Sequence, residues 1–178
     1  MIKVSDITTL PPKNPTTELQ REVYNTFERL GIRFERVDND PAISMEDCAA
    51  INSRFGVKTV KTLLLTNRQQ TVFYLFVTEG DKSFSTRDFG HALSIPRVSF
   101  APAEKLAEIA HTVVGATTVL SVLLDRDKRL NVVIDKAVTA NEYFCCTDGT
   151  TTCYLMLRTA DVLRLIEYAG YQPQVIEV

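Results

Sequence analysis

A lysine within an apolar, strand-like run is the first residue whose type and position point to chemistry. Lys61 lies in the run 60–65, and an ammonium group is costly to bury there without a partner. The side chain could simply extend from the strand end to water, or it could bind an anion. From residue 48 to residue 78 the sequence has no acidic side chain, which favours the anion-binding interpretation. The other basic residues of this stretch are Arg54, Lys58 and Arg68.

Two loops rich in glycine and small hydroxyl residues could hold the carbonyl or hydroxyl group of a ligand. They span residues 115–118 and 148–152, and they contain Gly115 and Gly149. Small side chains let the backbone approach a ligand closely, and the N–H and hydroxyl groups can then form hydrogen bonds with it. Ordinary turns leading into threonine-rich strands are the alternative explanation, and the loops alone do not decide between the two.

Several other kinds of site are not indicated. Neither His91 nor His111 adjoins a nucleophile, so a Ser/His/Asp triad is not predicted. Glycine-rich nucleotide-binding motifs do not occur in the sequence. The four cysteines form no CxxC pair, and with only two histidines we expect no zinc site and no cofactor. Cys48 and Cys153 are instead predicted to be small apolar core residues.

The elements that must position these residues alternate irregularly along the chain. Residues 1–16 contain Pro11, Pro12 and Pro15 and are predicted to be an extended lead-in, whereas residues 17–178 form one domain. Helices are predicted from Thr17 to Gly31, from Ser44 to Gly56, over 86–93, after Pro102 and over 159–169, where Thr159 serves as the cap. Strands are predicted at 32–37, 60–65, 72–77, 98–100, 119–124, 130–134, 151–157 and 175–176. This order predicts an α/β fold, with a mixed central β-sheet flanked by helices.

Composition excludes several classes of protein. The chain has 178 residues and a net charge of −2, which argues against coating nucleic acid by bulk charge. Its apolar runs are much shorter than the roughly 20 residues that cross a bilayer. Four cysteines are too few for a disulfide scaffold. The first residues lack the features of a signal peptide, so a cytoplasmic protein is expected.

Taken in order, these segments resemble the YbaK-type aminoacyl-tRNA editing family. The resemblance is greatest to the free-standing relatives of the prolyl-tRNA synthetase editing insertion, and it runs from about Thr17 to the C-terminus. It begins with the opening helix and the acidic turn that follows it. The other matching segments are Gly56 with 60–65, and then 80–82, 98–101, 115–119, 132–135, 149–152 and 159–169. Although no single segment is specific, their order implies a domain like the YbaK and prolyl-tRNA synthetase editing domains.

The resemblance implies hydrolysis of the ester bond of a mischarged aminoacyl-tRNA, with alanine on proline tRNA as the first expected substrate. It implies that Lys61 contacts the phosphate of the terminal nucleotide. Gly115, Ala116 and Thr117 would position the ester and the attacking water, and a ribose hydroxyl of the substrate would assist. The substrate-binding residues that it implies are Ser44, Thr62, Thr118, Cys145, Asp148, Gly149 and Thr150. The implied partners are the tRNA acceptor end and prolyl-tRNA synthetase, but neither DNA nor a membrane.

The sequence departs from the family pattern at several positions. Thr62 stands where the family often has Asn, and Val119 stands where a Pro commonly ends the glycine loop. Cys145-Cys146 stands where a His-Pro pair is frequent, and Gly149 stands where an Asn is frequent. Loss of the histidine would remove a polar group from the amino-acid pocket. Two other functions therefore stay open. One is a catalytically degenerate paralogue that binds tRNA or a synthetase without hydrolysis, and the other is a module that binds a free amino acid or nucleotide.

Overall fold

The computed structural model describes residues 2–178, which contain six α-helices, a short 3-10 helix and eight strands. The helices are α1 (Glu18–Leu30), α2 (Cys48–Phe55), α3 (Thr86–Leu93), α4 (Ala103–Ala110), α5 (Lys136–Thr139) and α6 (Thr159–Tyr168). The strands are β1 (Glu35–Asp38), β2 (Val60–Thr66), β3 (Phe73–Glu79), β4 (Ser99–Phe100), β5 (Leu130–Asp135), β6 (Tyr143–Thr147), β7 (Cys153–Arg158) and β8 (Gln174–Ile176). Among these residues no helix is both long and apolar enough to cross a membrane.

The larger sheet has five strands in the order β4-β2-β3-β5-β8. Strands β2 and β3 form an antiparallel hairpin, whereas β3 and β5, and β5 and β8, are parallel. Apolar side chains alternate onto both faces of the central strand β3, where Leu75, Phe76 and Val77 are fully buried. The predicted mixed sheet flanked by helices is thereby confirmed.

A second, antiparallel sheet has the strand order β1-β7-β6 and was not predicted. Its edge strand β6 contains Cys145 and Cys146, where no strand was predicted. A single parallel bridge between Thr59 and Cys145 joins the two sheets. Strand β6 therefore lies next to the start of β2, a position that matters for the site.

Helix α1 begins and ends where the sequence predicted. The Thr17 hydroxyl accepts a hydrogen bond from the Gln20 N–H at 3.0 Å. Gly31 ends the helix with a φ of 64°, a left-handed conformation that glycine adopts without strain. Leu19, Val23 and Phe27 are buried against the main core, so the helix covers one side of the sheets.

Three expectations about individual elements were wrong. Residues 119–124 are not a strand, because Val119–Leu123 forms a buried 3-10 helix whose first turn is capped by the Thr118 hydroxyl. Helix α2 begins at Cys48 and not at Ser44, since Ser44 belongs to a turn that precedes it. Thr159 is the first residue of α6 rather than its cap, and its buried hydroxyl has no hydrogen-bond partner among the described residues.

The lead-in runs alongside the smaller sheet. Thr8 exchanges two backbone hydrogen bonds with Arg36 of β1, at 2.8 and 2.9 Å, and Val4 bridges to Asn39. Met1, the first residue of the predicted lead-in, lies outside the described residues.

Candidate active site at an unpaired strand edge

A cavity of about 270 Å³ opens at the outer edge of β2. Strand β2 contributes the consecutive residues Val60, Lys61, Thr62, Leu63 and Leu64 to its lining. Neighbouring residues of a strand point to opposite faces of the sheet, so a cavity lined by all of them lies at the strand edge and not on one face. The remaining lining residues are Ile43, Ser44, Met45, Cys48, Phe100, Ala101, Leu106, Val114, Gly115, Thr117, Cys146, Thr147 and Tyr154.

The cavity exists because the outer edge of β2 is paired only at its two ends. At the first end, Thr59 bridges to Cys145 of β6. At the other end, β4 pairs with Leu65 and Thr66, and the Ala101 N–H donates to the Leu64 carbonyl at 2.9 Å. Between these points no described strand covers the outer edge, and the cavity fills the gap.

Two loops close over this gap and contact each other. Gly115 has a φ of 86°, and a Cβ at this position would lie 2.8 Å from the Ile43 Cα. Only glycine therefore fits both the backbone conformation and the contact. The turn that carries Ile43 is held by the Asp47 carboxylate, which accepts hydrogen bonds from the N–H groups of Ser44 and Ile43 and from the Ser44 hydroxyl. These bonds keep the pKa of Asp47 below its ordinary value.

Lys61 brings a positive charge to the cavity that no carboxylate neutralises. Its side chain is half-buried, and its ammonium group donates a hydrogen bond to the Lys82 carbonyl. Among the described residues Lys61 forms no salt bridge. Burial lowers the pKa of Lys61, and the nearby Asp81 offsets only part of this effect. An incoming anion would relieve the cost of keeping this ammonium group charged.

The basic residues near Lys61 in the sequence do not form the expected patch of positive charge in the folded protein. Lys58 forms a salt bridge with Asp81, and Arg54 forms one with Asp6. Arg68 lies in the turn between β2 and β3, at the far end of the hairpin from Lys61. Lys61 is therefore a single anchor and not part of a basic surface.

Two hydroxyl groups add hydrogen-bonding capacity to the cavity. Thr62 and Thr117 both line it, and neither hydroxyl has a hydrogen-bond partner within residues 2–178. The Thr147 hydroxyl is in contrast already used, since it donates to the Thr150 carbonyl. The backbone N–H of Ala116 is used as well, because it donates to the Val113 carbonyl at 3.0 Å. Ala116 is fully buried and does not line the cavity, unlike its neighbours in the loop.

The inner wall carries the Cys146 thiol and the Tyr154 phenol, and both stay protonated. Burial raises the pKa of the Cys146 thiol to about 12, with a hydrogen bond to Thr118 acting weakly in the other direction. Burial also raises the pKa of Tyr154, and its neighbour Cys48 adds to the shift. A thiolate is the nucleophilic form of cysteine, so Cys146 is not poised for covalent catalysis at neutral pH.

Asp148, Gly149 and Thr150 lie outside this cavity, contrary to the expectation that they line an amino-acid pocket. The buried Asp148 carboxylate accepts hydrogen bonds from the Gln20 amide and the Tyr24 hydroxyl, both at 2.8 Å. The Thr150 N–H and hydroxyl bond to its other oxygen. Gly149 packs so closely on Leu19 that a Cβ would lie 2.7 Å from that side chain. These residues attach α1 to the turn between β6 and β7.

The structure brings together Ser44, Lys61, Thr62, Gly115 and Thr117 from the predicted set. Thr118 and Cys145 are fully buried and do not line the cavity. Sequence reasoning missed Cys146 and Thr147. Recognising β6 as a strand would have placed Cys146 on the opposite face from Cys145 and could have revealed its position.

The comparisons with known proteins agree with this arrangement. A family model described as an aminoacyl-tRNA editing domain matches residues 39–165. Prolyl-tRNA synthetase associated domain-containing protein 1 of Danio rerio is 22% identical over 161 residues, which cover 89% of this chain and 87% of the relative. Prolyl-tRNA editing protein ProX of Acetoanaerobium sticklandii is 20% identical over 161 residues, covering 90% of this chain and 98% of that protein.

A solved structure shows the same fold. The crystal structure of a candidate trans-editing enzyme for prolyl tRNA synthetase superposes with a TM-score of 0.65 at 14% identity. The match covers 92% of this chain and 99% of that one. The family match includes all of the residues that line the cavity and well over half of the sequence, which confirms the resemblance seen in the sequence. The chain belongs to the aminoacyl-tRNA editing domain family.

Proposed function

We propose that this protein is a deacylase that hydrolyses the ester bond of a mischarged aminoacyl-tRNA in trans. The observation that carries the proposal is the position of Lys61. Lys61 lines a cavity that the Gly115 loop also lines, and its ammonium group forms no salt bridge within the described residues. An anion anchor beside a loop of small residues is what the phosphate and the adjoining ester of a tRNA terminus require. Family membership and the names of the two relatives support this reading.

The geometry suits catalysis by positioning. Lys61 holds the phosphate of the terminal nucleotide, and this fixes the ester beside Gly115 and Thr117. The Thr117 hydroxyl is free to hold the attacking water. Burial raises the pKa of the Cys146 thiol and of the Tyr154 phenol, so neither group is available as a general base at neutral pH. The adjacent ribose hydroxyl of the substrate, implied by the family resemblance, takes the role of the proton acceptor.

The cavity favours a small amino acid. Its volume of about 270 Å³ must hold the aminoacyl group together with part of the ribose. Part of the cavity wall is apolar and is formed by Leu64, Leu106 and Cys146. This wall suits a methyl side chain better than a charged one. Alanine on proline tRNA is therefore the first substrate to test, and the tRNA acceptor end is the proposed partner. Prolyl-tRNA synthetase is a further proposed partner, while DNA and membranes are not.

The alternative of a degenerate paralogue rested on Val119 and Cys145. Both side chains are fully buried and lie outside the cavity lining, so neither departure takes a reacting group out of the cavity. The degenerate paralogue and the module that binds a free amino acid or nucleotide are both alternatives that the experiment separates from a deacylase.

The test is deacylation of a panel of mischarged tRNAs by the purified protein, the Lys61→Ala variant and the Lys58→Ala variant. Losing a charge-assisted hydrogen bond worth about 1.5–3 kcal/mol should lower kcat/KM about 10- to 150-fold in Lys61→Ala. Lys58 is an exposed lysine of the same segment, and neither it nor its salt-bridge partner Asp81 lines the cavity, so Lys58→Ala should stay close to wild type. The proposal is refuted if the wild-type protein deacylates none of the tRNAs. Equal activity of Lys61→Ala and wild type would place the site elsewhere.

A further inference from the structure

The uncovered stretch of β2 presents main-chain hydrogen-bonding groups to the cavity. The Gly80 N–H donates to the Thr59 carbonyl, so this carbonyl points toward β3, while the Thr59 N–H donates to the Asn52 side-chain oxygen. The Ala101 N–H donates to the Leu64 carbonyl, so the Leu64 carbonyl points toward the outer edge of β2. The N–H and C=O of one strand residue point to the same edge, and this direction alternates along the strand. The N–H and C=O of Thr62 therefore point outward, into the gap.

These two groups of Thr62 have no partner within the described residues. Strand β6 reaches the edge only at Thr59, and the contacts of β4 and Ala101 begin at Leu64. Main-chain groups that are withdrawn from bulk water are nearly always hydrogen-bonded in native proteins. An uncovered strand edge is also a template for any group that presents the complementary donor and acceptor.

An α-aminoacyl ester presents that complement. It carries ammonium donors and a carbonyl acceptor on either side of one carbon atom, as a strand residue carries its N–H and C=O. Two such residues can exchange a pair of hydrogen bonds when they face each other in an antiparallel arrangement. The aminoacyl group can therefore face Thr62 as if it were a strand of one residue.

We propose that the main chain of Thr62 binds the aminoacyl group, with its N–H donating to the ester carbonyl and its C=O accepting from the α-ammonium. This inference rests on the proposed deacylase function. Water adds to the carbonyl carbon, the bond from that carbon to the ribose oxygen breaks, and the ribose oxygen ends with the proton. Negative charge develops on the carbonyl oxygen when water adds, so the hydrogen bond from the Thr62 N–H is strongest in the transition state. Thr62 thereby becomes a catalytic residue through its backbone.

Two substitutions at the same position separate the backbone from the side chain. Thr62→Val removes the hydroxyl but keeps the N–H, whereas Thr62→Pro removes both. Because the Thr62 N–H points away from β3, proline breaks no hydrogen bond of the hairpin, and proline is tolerated at such edges. Removing one donor to a developing oxyanion lowers kcat about 100- to 1,000-fold. We expect this loss in Thr62→Pro with little change in KM. Thr62→Val should lose much less, about 2- to 12-fold, because it gives up only a hydrogen bond of the side-chain hydroxyl.

Substrate analogues test the same proposal on the wild-type protein and need no folded variant. Alanyl-tRNA is compared with N-acetylalanyl-tRNA and with lactyl-tRNA, which both lack the ammonium group. Each rate is divided by the spontaneous hydrolysis rate of that ester, because the ammonium group itself activates the ester. Loss of a hydrogen bond from a charged donor, about 1.5–3 kcal/mol, should leave both analogues at least about tenfold poorer substrates.

The outcomes distinguish this inference from the proposed function. A folded Thr62→Pro variant with a wild-type kcat would overturn the inference, as would an equal loss in Thr62→Val. Normalised rates that are the same for all three esters would also overturn it. In each of these cases a rate that still depends on Lys61 leaves the deacylase function standing. A wild-type protein that hydrolyses none of the esters overturns both.

Discussion

Replacing Gly115 by alanine should disable the site while leaving the fold largely intact. The φ of 86° places this residue in a region that costs an L-residue about 1–2 kcal/mol. In addition, the new Cβ would lie 2.8 Å from the Ile43 Cα, whereas ordinary contacts are 3.4–4 Å. Both atoms are attached to backbone, so the loop and the turn must separate by at least about 0.6 Å.

That displacement occurs within the cavity lining, so it should affect catalysis directly. A misplacement of about 1 Å can cost about 100-fold in rate, and we expect a 10- to 100-fold lower kcat/KM for Gly115→Ala. Gly31→Ala is the matched control. Gly31 also has a positive φ, of 64°, but its Cβ would meet no atom within 4 Å, and it lies at the end of α1.

The assay is deacylation of the best substrate by both variants, together with thermal unfolding. Both proteins should lose about 2–8 °C in Tm from the backbone strain. Only Gly115→Ala should lose activity per folded molecule. A Gly115→Ala variant with the wild-type rate would refute the idea that the contact with Ile43 sets the geometry of the cavity. A similar loss of activity in Gly31→Ala would show that the effect reports general destabilisation.

Three further predictions concern the charges and buried polar groups. Burial disfavours the charged form of Lys61 in the folded state, so Lys61→Met should abolish anion binding with an unchanged or higher Tm. The Tm difference between the variant and the wild type should shrink as the pH rises through the lowered pKa of Lys61. Thermal melts between pH 7 and 11 would record it. Tyr24→Phe should lower the free energy of unfolding by about 1–3 kcal/mol in urea titrations, because the buried Asp148 carboxylate loses a donor, while activity per folded molecule is unchanged. Burial acts to raise the pKa of Asp135, but hydrogen bonds, from Lys82 above all, outweigh it and hold the pKa below its ordinary value. Asp135 should therefore contribute its full stabilisation above the pKa that it has in the unfolded chain, and this contribution should disappear as the pH falls through its pKa in the folded protein. In urea titrations at pH 7, Asp135→Asn should lower the free energy of unfolding by about 1–3 kcal/mol.

The sequence predicted the parts of this protein that depend on local signals. Thr17 and Gly31 bound α1 because a cap and a left-handed glycine act within one turn of the helix. The hairpin of β2 and β3 follows from two apolar runs separated by a short polar turn. Lys61 stood out for a similar reason, since a charge in an apolar run is visible without knowing the fold.

The errors concern contacts between residues that are far apart in the sequence. Asp148 was assigned to the site because it is a polar residue in a glycine-rich loop. Its partners Gln20 and Tyr24 lie more than one hundred residues away and make it a structural anchor. The outward direction of the Thr62 backbone was equally hidden, because it depends on where β4 and β6 stop pairing with β2. No local pattern encodes such an endpoint.

Strand β4 pairs with only Leu65 and Thr66 of β2, and this short pairing limits which molecules can reach the edge of β2. An open strand edge normally invites extended polypeptides to pair with it, which leads to peptide binding or aggregation. Along the outer edge of β2, residues 2–178 leave only the backbone around Thr62 uncovered, and the neighbouring strands block any continuation in both directions. The opening is long enough for one amino-acid unit and too short for a peptide. We therefore expect the gap to accept a single aminoacyl unit, such as the end of a charged tRNA, and to exclude extended polypeptide chains.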